Sequence, residues 1–335
     1  MRILIFTSKE EDYLQDSIIH GFKCLYGKEV IDFPAKVILY DDYHNLHSLR
    51  GNGFTLYGKL DKRLKASENI NIEEAIVKNT FDLIIFSSIH RQFDFFYAHF
   101  RLLKEIKSKI LILDGEDSSR FFPFMRKYAK FFFYPKPHSH FAYFKRELIL
   151  KHSQLGFWNF FQNLFNSFFL GDNVKPISFS IPKEKIITIL PFKEKLFTKH
   201  VVDIEISKSI NSSTEKYAFN TEADYYDDIQ QAKFGITTKR SGWDCLRHYE
   251  IAANGAVICF RDLNKKPPEC APHGLIDGIN CINYNSYKQL KDVIGSISDA
   301  AYLRLQENSL KWVRDQTTEK RAVDLIHQAF NKILI

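Results

Sequence analysis

Residues 234–260 constrain the fold of this chain more than any other stretch. They read as a short apolar strand ending near Ile236, a basic loop, a helix opened by Ser241, and a second apolar strand from Ala256 to Phe260 that begins directly after Gly255. Ser241 and Asp244 have the spacing of a capping box, and Asn254-Gly255 is a helix stop. On this reading Lys239 and Arg240 lie beside backbone N–H groups left unpaired at a helix start, where the helix dipole also favours negative charge, so a phosphate is the expected occupant. Arg247 and Glu250, three apart, share a face further along the same helix. A carboxylate one helix length from a phosphate cradle is placed to accept hydrogen bonds from the two hydroxyls of a ribose. The plain alternative is a solvent-exposed Arg247–Glu250 pair, which contributes a few tenths of a kcal/mol.

The rest of the chain supplies the setting. Its 335 residues exceed what one hydrophobic core usually organises, so two domains are expected, and 31 Phe with 16 Tyr predict aromatic-rich cores. Residues 2–7 form a continuous apolar run, the mark of a strand buried on both faces of a parallel sheet. A helical stripe over 13–26 follows, then strands at 37–40, 83–87 and 109–113 with helices over 72–78 and 93–106 between them. This alternation predicts a doubly wound α/β domain, whose ligands sit beyond the carboxyl ends of the strands. Residues 172–191, with three prolines, read as a linker into a second domain. A strand is expected within 199–206, a helix over 222–231, a last strand over 280–284, a helix over 287–296 and two terminal helices thereafter.

The order strand, basic loop, helix ending in Glu250-Ile-Ala-Ala-Asn-Gly255, then buried strand resembles the donor-nucleotide segment of GT-B glycosyltransferases. Residues 247–262 look nearest to the spore-maturation-type and exostosin-like branches. The resemblance implies an α/β GT-B fold, two Rossmann-like doubly wound domains facing across a cleft: 1–175 on the acceptor side, 176–316 binding the nucleotide sugar, and 317–335 as a terminal helix able to pack back on the first domain. It implies a metal-independent glycosyltransferase that takes a nucleotide-diphosphate sugar as substrate, uses no cofactor and glycosylates a hydroxyl of a glycan or lipid-linked acceptor, as in surface polysaccharide synthesis. The donor set is then Thr238, Lys239, Arg240, Ser241, Gly242, Trp243, Arg247 and Glu250, with Glu250 on the ribose. Many retaining members carry a second glutamate eight residues earlier; here that position is Gly242.

An inverting transferase needs a base for the acceptor hydroxyl. His90, Asp114, Glu116 and Asp117 follow predicted strands and are the candidates, although acids after a strand are also common helix caps. Residues 41–61, with Gly51, Gly53 and Gly58, read as a long loop near the cleft where an acceptor is recognised. Lys145 and Arg146 are within reach of a donor phosphate in this fold but read rather as a solvated strand edge. Five cysteines, with neither CxxC nor zinc-like Cys/His spacing, suit a reducing cytoplasm and predict no metal site. No run reaches the roughly 20 apolar residues of a spanning helix. Residues 156–171 pattern as an amphipathic helix for packing, self-association or contact with the inner face of a membrane. A net charge of +7 is compatible with nucleic acid, yet no basic array with interleaved aromatics stands out, so nucleic acid is not an expected partner. Two alternatives stay open: a transferase acting on DNA bases, and a nucleotide-sugar binder without activity.

Overall fold

The computed structural model describes residues 1–66, 70–124, 126–150, 173–210, 213–214, 216 and 218–330. The expected amphipathic helix over 156–171 lies outside them.

Among the described residues ten parallel strands form two sheets. The first, in the order β2-β1-β3-β4-β5-β6, contains β1 (Ile3–Phe6), β2 (Val30–Phe33), β3 (Leu83–Phe86), β4 (Lys109–Asp114), β5 (Ala142–Lys145) and β6 (Val174–Pro176). Every residue of β1 and β3 is buried, as a sheet covered on both faces requires. The second sheet, β10-β9-β8-β7, holds β7 (Lys195–Phe197), β8 (Ala232–Thr238), β9 (Val257–Arg261) and β10 (Cys281–Tyr284). Helix Thr318–Phe330 crosses from the second domain and packs on helix Tyr13–Tyr26. The approach is so close that a Cβ on Gly21 would stand 2.0 Å from the Thr318 carbonyl oxygen. Among the described residues no helix is long and apolar enough to cross a membrane.

Some local expectations are corrected. The strand expected at 37–40 is a single 3-10 turn, Val37–Leu39, and the strand is Val30–Phe33 instead. Pairing with β1 decides this, because Val30 to Phe33 match Ile3 to Phe6 residue for residue and Pro34 then lacks the N–H to continue. The strand expected within 199–206 is preceded by β7 and replaced by helix Ile204–Ser209, whose N-cap Asp203 accepts from the Glu205 and Ile206 amides. Lys145 and Arg146 are fully buried rather than at a solvated edge, each held by carboxylates.

Candidate functional site

Because both sheets are parallel, the loops at the carboxyl ends of their strands face one another, and a cavity of about 280 Å³ lies between them. From the first domain it is lined by Glu11, Asp12, Tyr13, Arg50, Ser88, Arg91, Gly115, Glu116, Asp117 and Arg146. The second domain contributes Arg240, Ser241, Gly242, Asp244, Cys245 and Leu246. Four separate segments thus bring the cations Arg50, Arg91, Arg146 and Arg240 to one space, where a phosphate gains more from them than it would in water.

The donor loop is built differently from the sequence expectation. Its helix is Leu246–Ala253, with Cys245 as N-cap, so Ser241 caps nothing and residues 239–245 are loop. Tertiary bonds displace the start. Asp244, which a capping box would place inside the helix, instead accepts from the Phe179 amide at 2.7 Å and from the Tyr249 hydroxyl at 2.9 Å. The Trp243 amide donates to Glu147 Oε1 at 2.9 Å, and the Asp244 amide to the same oxygen at 3.4 Å. A buried carboxylate from the first domain thereby fills two amide positions that the sequence suggested for phosphate. Arg146, also buried, joins Glu147 at 3.1 Å and the Asp244 carbonyl at 3.2 Å. This clamp leaves no room at Gly242, where a Cβ would meet Glu147 Oε1 at 2.5 Å, Asp117 Oδ1 at 2.8 Å and Arg146 Nη1 at 2.9 Å.

The remaining candidates separate by position. Arg240 is exposed and lines the cavity, with the start of the 246–253 helix beside it. Lys239 stands over the Trp243 ring at 5.1 Å, so its charge stays at the rim. Thr238 ends β8. Glu116 and Asp117 line the cavity; Asp117 is ion-paired with Arg146, and Glu116 with Lys127 at 3.3 Å. His90 and Asp114 do not point into the cleft. His90 Nε2 lies 2.8 Å from Asp114 Oδ1, Lys145 Nζ 2.9 Å from the same oxygen, and the Tyr143 hydroxyl donates to the other carboxylate oxygen. Burial alone would raise the Asp114 carboxyl, but Lys145, His90 and Tyr143 hold it well below the usual range, as a buried structural anion.

Glu250 and Arg247 are both buried, and they do not form the exposed ion pair of the plain reading. Glu250 Oε2 accepts from the Tyr225 hydroxyl at 2.8 Å, and Oε1 from the Thr55 hydroxyl at 2.5 Å. Burial pushes the Glu250 carboxyl up, while Thr55, Tyr225 and Arg247 act against that. Arg247 Nη2 lies 3.1 Å from His200 Nε2, so His200 accepts there, and burial beside this guanidinium lowers its pKa to about 4. Arg247 Nε is buried with no hydrogen-bond partner among the described residues.

Thr55 reaches Glu250 from the first domain. The Tyr57 hydroxyl donates to buried Asp16 at 2.8 Å and anchors the loop two residues away. Thr55 also donates its amide to Glu222 Oε1 at 2.5 Å, and its hydroxyl lies 2.7 Å from that of Tyr226. It holds φ at +75°, where a β-branched side chain is strained by about 1–3 kcal/mol. Three hydrogen bonds to the second domain therefore maintain a conformation that the isolated loop disfavours. Sequence reasoning placed this loop near the cleft; nothing in it pointed to Thr55, or to Tyr225 and Glu222 on the facing helix Glu222–Gln231.

No family model matches this chain, and no curated protein matches it in sequence. Its backbone is similar to that of a glycosyltransferase from Rickettsia africae ESF-5, with 10% identity, 98% of each chain covered and a TM-score of 0.56. It is also similar to Anabaena Alr3699/HepE in complex with UDP, with 9% identity over 99% of this chain and 100% of that one and a TM-score of 0.55. HepE in complex with UDP-glucose gives 10% identity over the same shares and a TM-score of 0.51. The two parallel sheets, the cleft between their carboxyl ends and these likenesses over nearly the whole chain establish the fold as GT-B, two Rossmann-like α/β domains facing one another.

Proposed function

We propose that this chain is a glycosyltransferase that moves a sugar from a nucleoside-diphosphate donor to a hydroxyl of a glycan or lipid-linked acceptor. The observation that carries the reading is the cavity itself, where Arg240 and a helix start meet Glu116 and Asp117 across two domains. HepE, alike in fold, was solved with UDP and with UDP-glucose. On the sequence resemblance of residues 247–262, we read the spore-maturation-type and exostosin-like branches as the nearest.

Each group then has a role. Arg240, helped by Arg50 on the opposite wall, offsets the charge that builds on the leaving diphosphate. Glu250 holds the pentose, whose hydroxyl takes the place of the Thr55 hydroxyl on Oε1. Of the two acids that follow β4 and line the cavity, Glu116 and Asp117, Asp117 is bound to the Arg146 guanidinium and keeps it in place. Glu116, whose ion pair is with a half-exposed lysine, is the better base. Glu116 takes the acceptor proton as the acceptor oxygen bonds to the anomeric carbon. The bond from that carbon to the donor phosphate breaks, and its electron pair leaves with the diphosphate. We read the reaction as needing no metal or cofactor, because these side chains can supply both the base and the countercharge.

A thermal-shift screen with UDP, GDP and CMP tests this. A matching nucleotide at 100 times its Kd stabilises the fold by about 2.7 kcal/mol. Arg240→Ala is expected to weaken nucleotide binding, and Glu116→Gln to abolish sugar transfer with nucleotide affinity kept. No shift with any nucleotide, or equal shifts in wild type and Arg240→Ala, refutes the assignment.

A further inference from the structure

Between Asp117 and Glu147 the chain carries seven Lys and Arg and no acid, interleaved with aromatics. The sequence Phe131-Phe-Phe-Tyr134 within it folds in an unusual way. Phe131 is buried against Phe93 and Tyr97, at 4.8 and 5.3 Å between rings. Phe132, Phe133 and Tyr134 turn outward, with 37%, 99% and 46% of their surface exposed. The turn that displays them is hydrogen-bonded. The Phe132 amide donates to Ala129 O at 3.1 Å, the Tyr134 amide to Phe131 O at 3.0 Å, and the Lys136 ammonium to the Phe132 carbonyl. Tyr97 ties down the exit through a bond from its hydroxyl to Pro135 O at 3.2 Å. A built turn therefore holds Phe133 in water between the part-exposed rings of Phe132 and Tyr134, the latter resting on Tyr97 at 4.9 Å, and the hydrophobic cost of this display asks for a ligand.

The cations around this tip identify its chemistry. Lys130 Nζ stands 4.8 Å from the Phe131 ring centre, and Lys136 Nζ 4.9 Å from that of Phe124, which neighbours Phe132 at 6.1 Å. Lys127, paired with Glu116, continues the basic side to the cavity rim. Aromatic rings flanked by lysines match the two layers of an anionic lipid surface: rings enter the headgroup boundary and ammonium groups meet lipid phosphate.

We infer that residues 127–136 are a membrane-docking tip, in which Phe132, Phe133 and Tyr134 enter a bilayer with anionic headgroups and Lys127, Lys130 and Lys136 bind its surface. The inference is independent of the donor reading, since docking involves no sugar transfer. It differs from the expectation over 156–171 by assigning the contact to the rim that carries Glu116.

The test is co-sedimentation of the full chain with phosphatidylcholine vesicles, with and without a large fraction of phosphatidylserine or phosphatidylglycerol. Binding is expected to the anionic vesicles, to weaken with salt, and to be much lower on neutral ones. Phe132→Ser combined with Phe133→Ser is expected to lower the partition coefficient at least about tenfold. Lys130→Glu with Lys136→Glu is expected to remove most of the dependence on lipid charge. Phe133 contributes nothing to the core, so Phe133→Ser alone serves as a folding-neutral variant, checked by an unchanged melting temperature. The proposal is overturned if wild type ignores anionic vesicles, or if the Phe variants bind as wild type does. It is equally overturned if light scattering shows a dimer that those variants dissolve while no vesicle is bound.

Discussion

If the pentose of a bound nucleotide replaces the Thr55 hydroxyl on Glu250, then removing that hydroxyl should tighten nucleotide binding. Thr55→Val keeps the side-chain shape and the strained φ of +75° and replaces the hydroxyl by a methyl, which cannot hydrogen-bond. In the free protein this takes from the buried Glu250 Oε1 a hydrogen bond of 2.5 Å. A bond to a charged group contributes about 1.5–3 kcal/mol. The nucleotide-bound protein loses no bond to Glu250, because the pentose hydroxyl now bonds to that oxygen, and the contact of the Thr55 hydroxyl with that of Tyr226 is lost from both states alike. The free state rises by about 2 kcal/mol and the bound state stays, so the Kd for UDP should fall by as much as about 30-fold. Isothermal titration of UDP into wild type, Thr55→Val and Glu250→Ala measures this, with Glu250→Ala expected to weaken binding at least about tenfold. An unchanged or weaker affinity in Thr55→Val, with binding lost in Glu250→Ala, shows that the pentose does not displace Thr55. Unchanged affinity in Glu250→Ala removes Glu250 from the donor site and makes its contact with Thr55 an interdomain clasp.

Three further outcomes follow from the packing. Gly242→Ala places a methyl within 2.5 Å of Glu147 Oε1 and should disrupt the Glu147–Arg146 clamp, lowering stability to urea by about 2–4 kcal/mol. Gly21→Ala drives a methyl into the Thr318 backbone, so the 318–330 helix should leave helix 13–26 and be cut early by protease at native temperature. His248, fully buried, donates through Nε2 to Trp243 O at 3.0 Å and accepts the Thr237 hydroxyl on Nδ1 at 3.0 Å, and burial lowers its pKa to about 4. An unfolded histidine takes its proton near pH 6.5, so acid favours the unfolded chain; stability present above that pH should decline toward pH 4 by about 3 kcal/mol. Urea titrations at several pH values check the slope, which His248→Gln should flatten.

The N-terminal sheet and the helix–strand alternation were legible because buried parallel strands are continuous apolar runs; residues 3–6 and 83–86 are recognisable without a partner. Helices 222–231 and 287–296 were equally clear, since their caps and amphipathic faces are local properties. The second strand lies at 30–33 although Asp32 interrupts its apolar run and 37–40 is uninterrupted, and only the match with β1 makes that choice. The donor helix is capped four residues later than its local pattern predicts, at Cys245 and not Ser241, for a related reason. Its local capping pattern is sound, but Asp244, Trp243 and Gly242 answer to Phe179, Glu147 and Arg146, residues 65 to 98 positions away. His90 and Asp114 fit the pattern of catalytic residues after strands, and burial rather than type decides that they are anchors.

By itself, then, the sequence determined two α/β domains and a basic loop before a helix that carries a glutamate, because periodicity and caps are written in neighbouring residues. Only the tertiary structure decided which oxygens and amides are already taken: that Glu147 fills the loop amides, that Thr55 sits on Glu250, and that Arg240, Glu116 and Asp117 share one cavity. The reason is that hydrogen-bond capacity is exhausted by whichever group arrives, and arrival across a domain interface has no period in the chain.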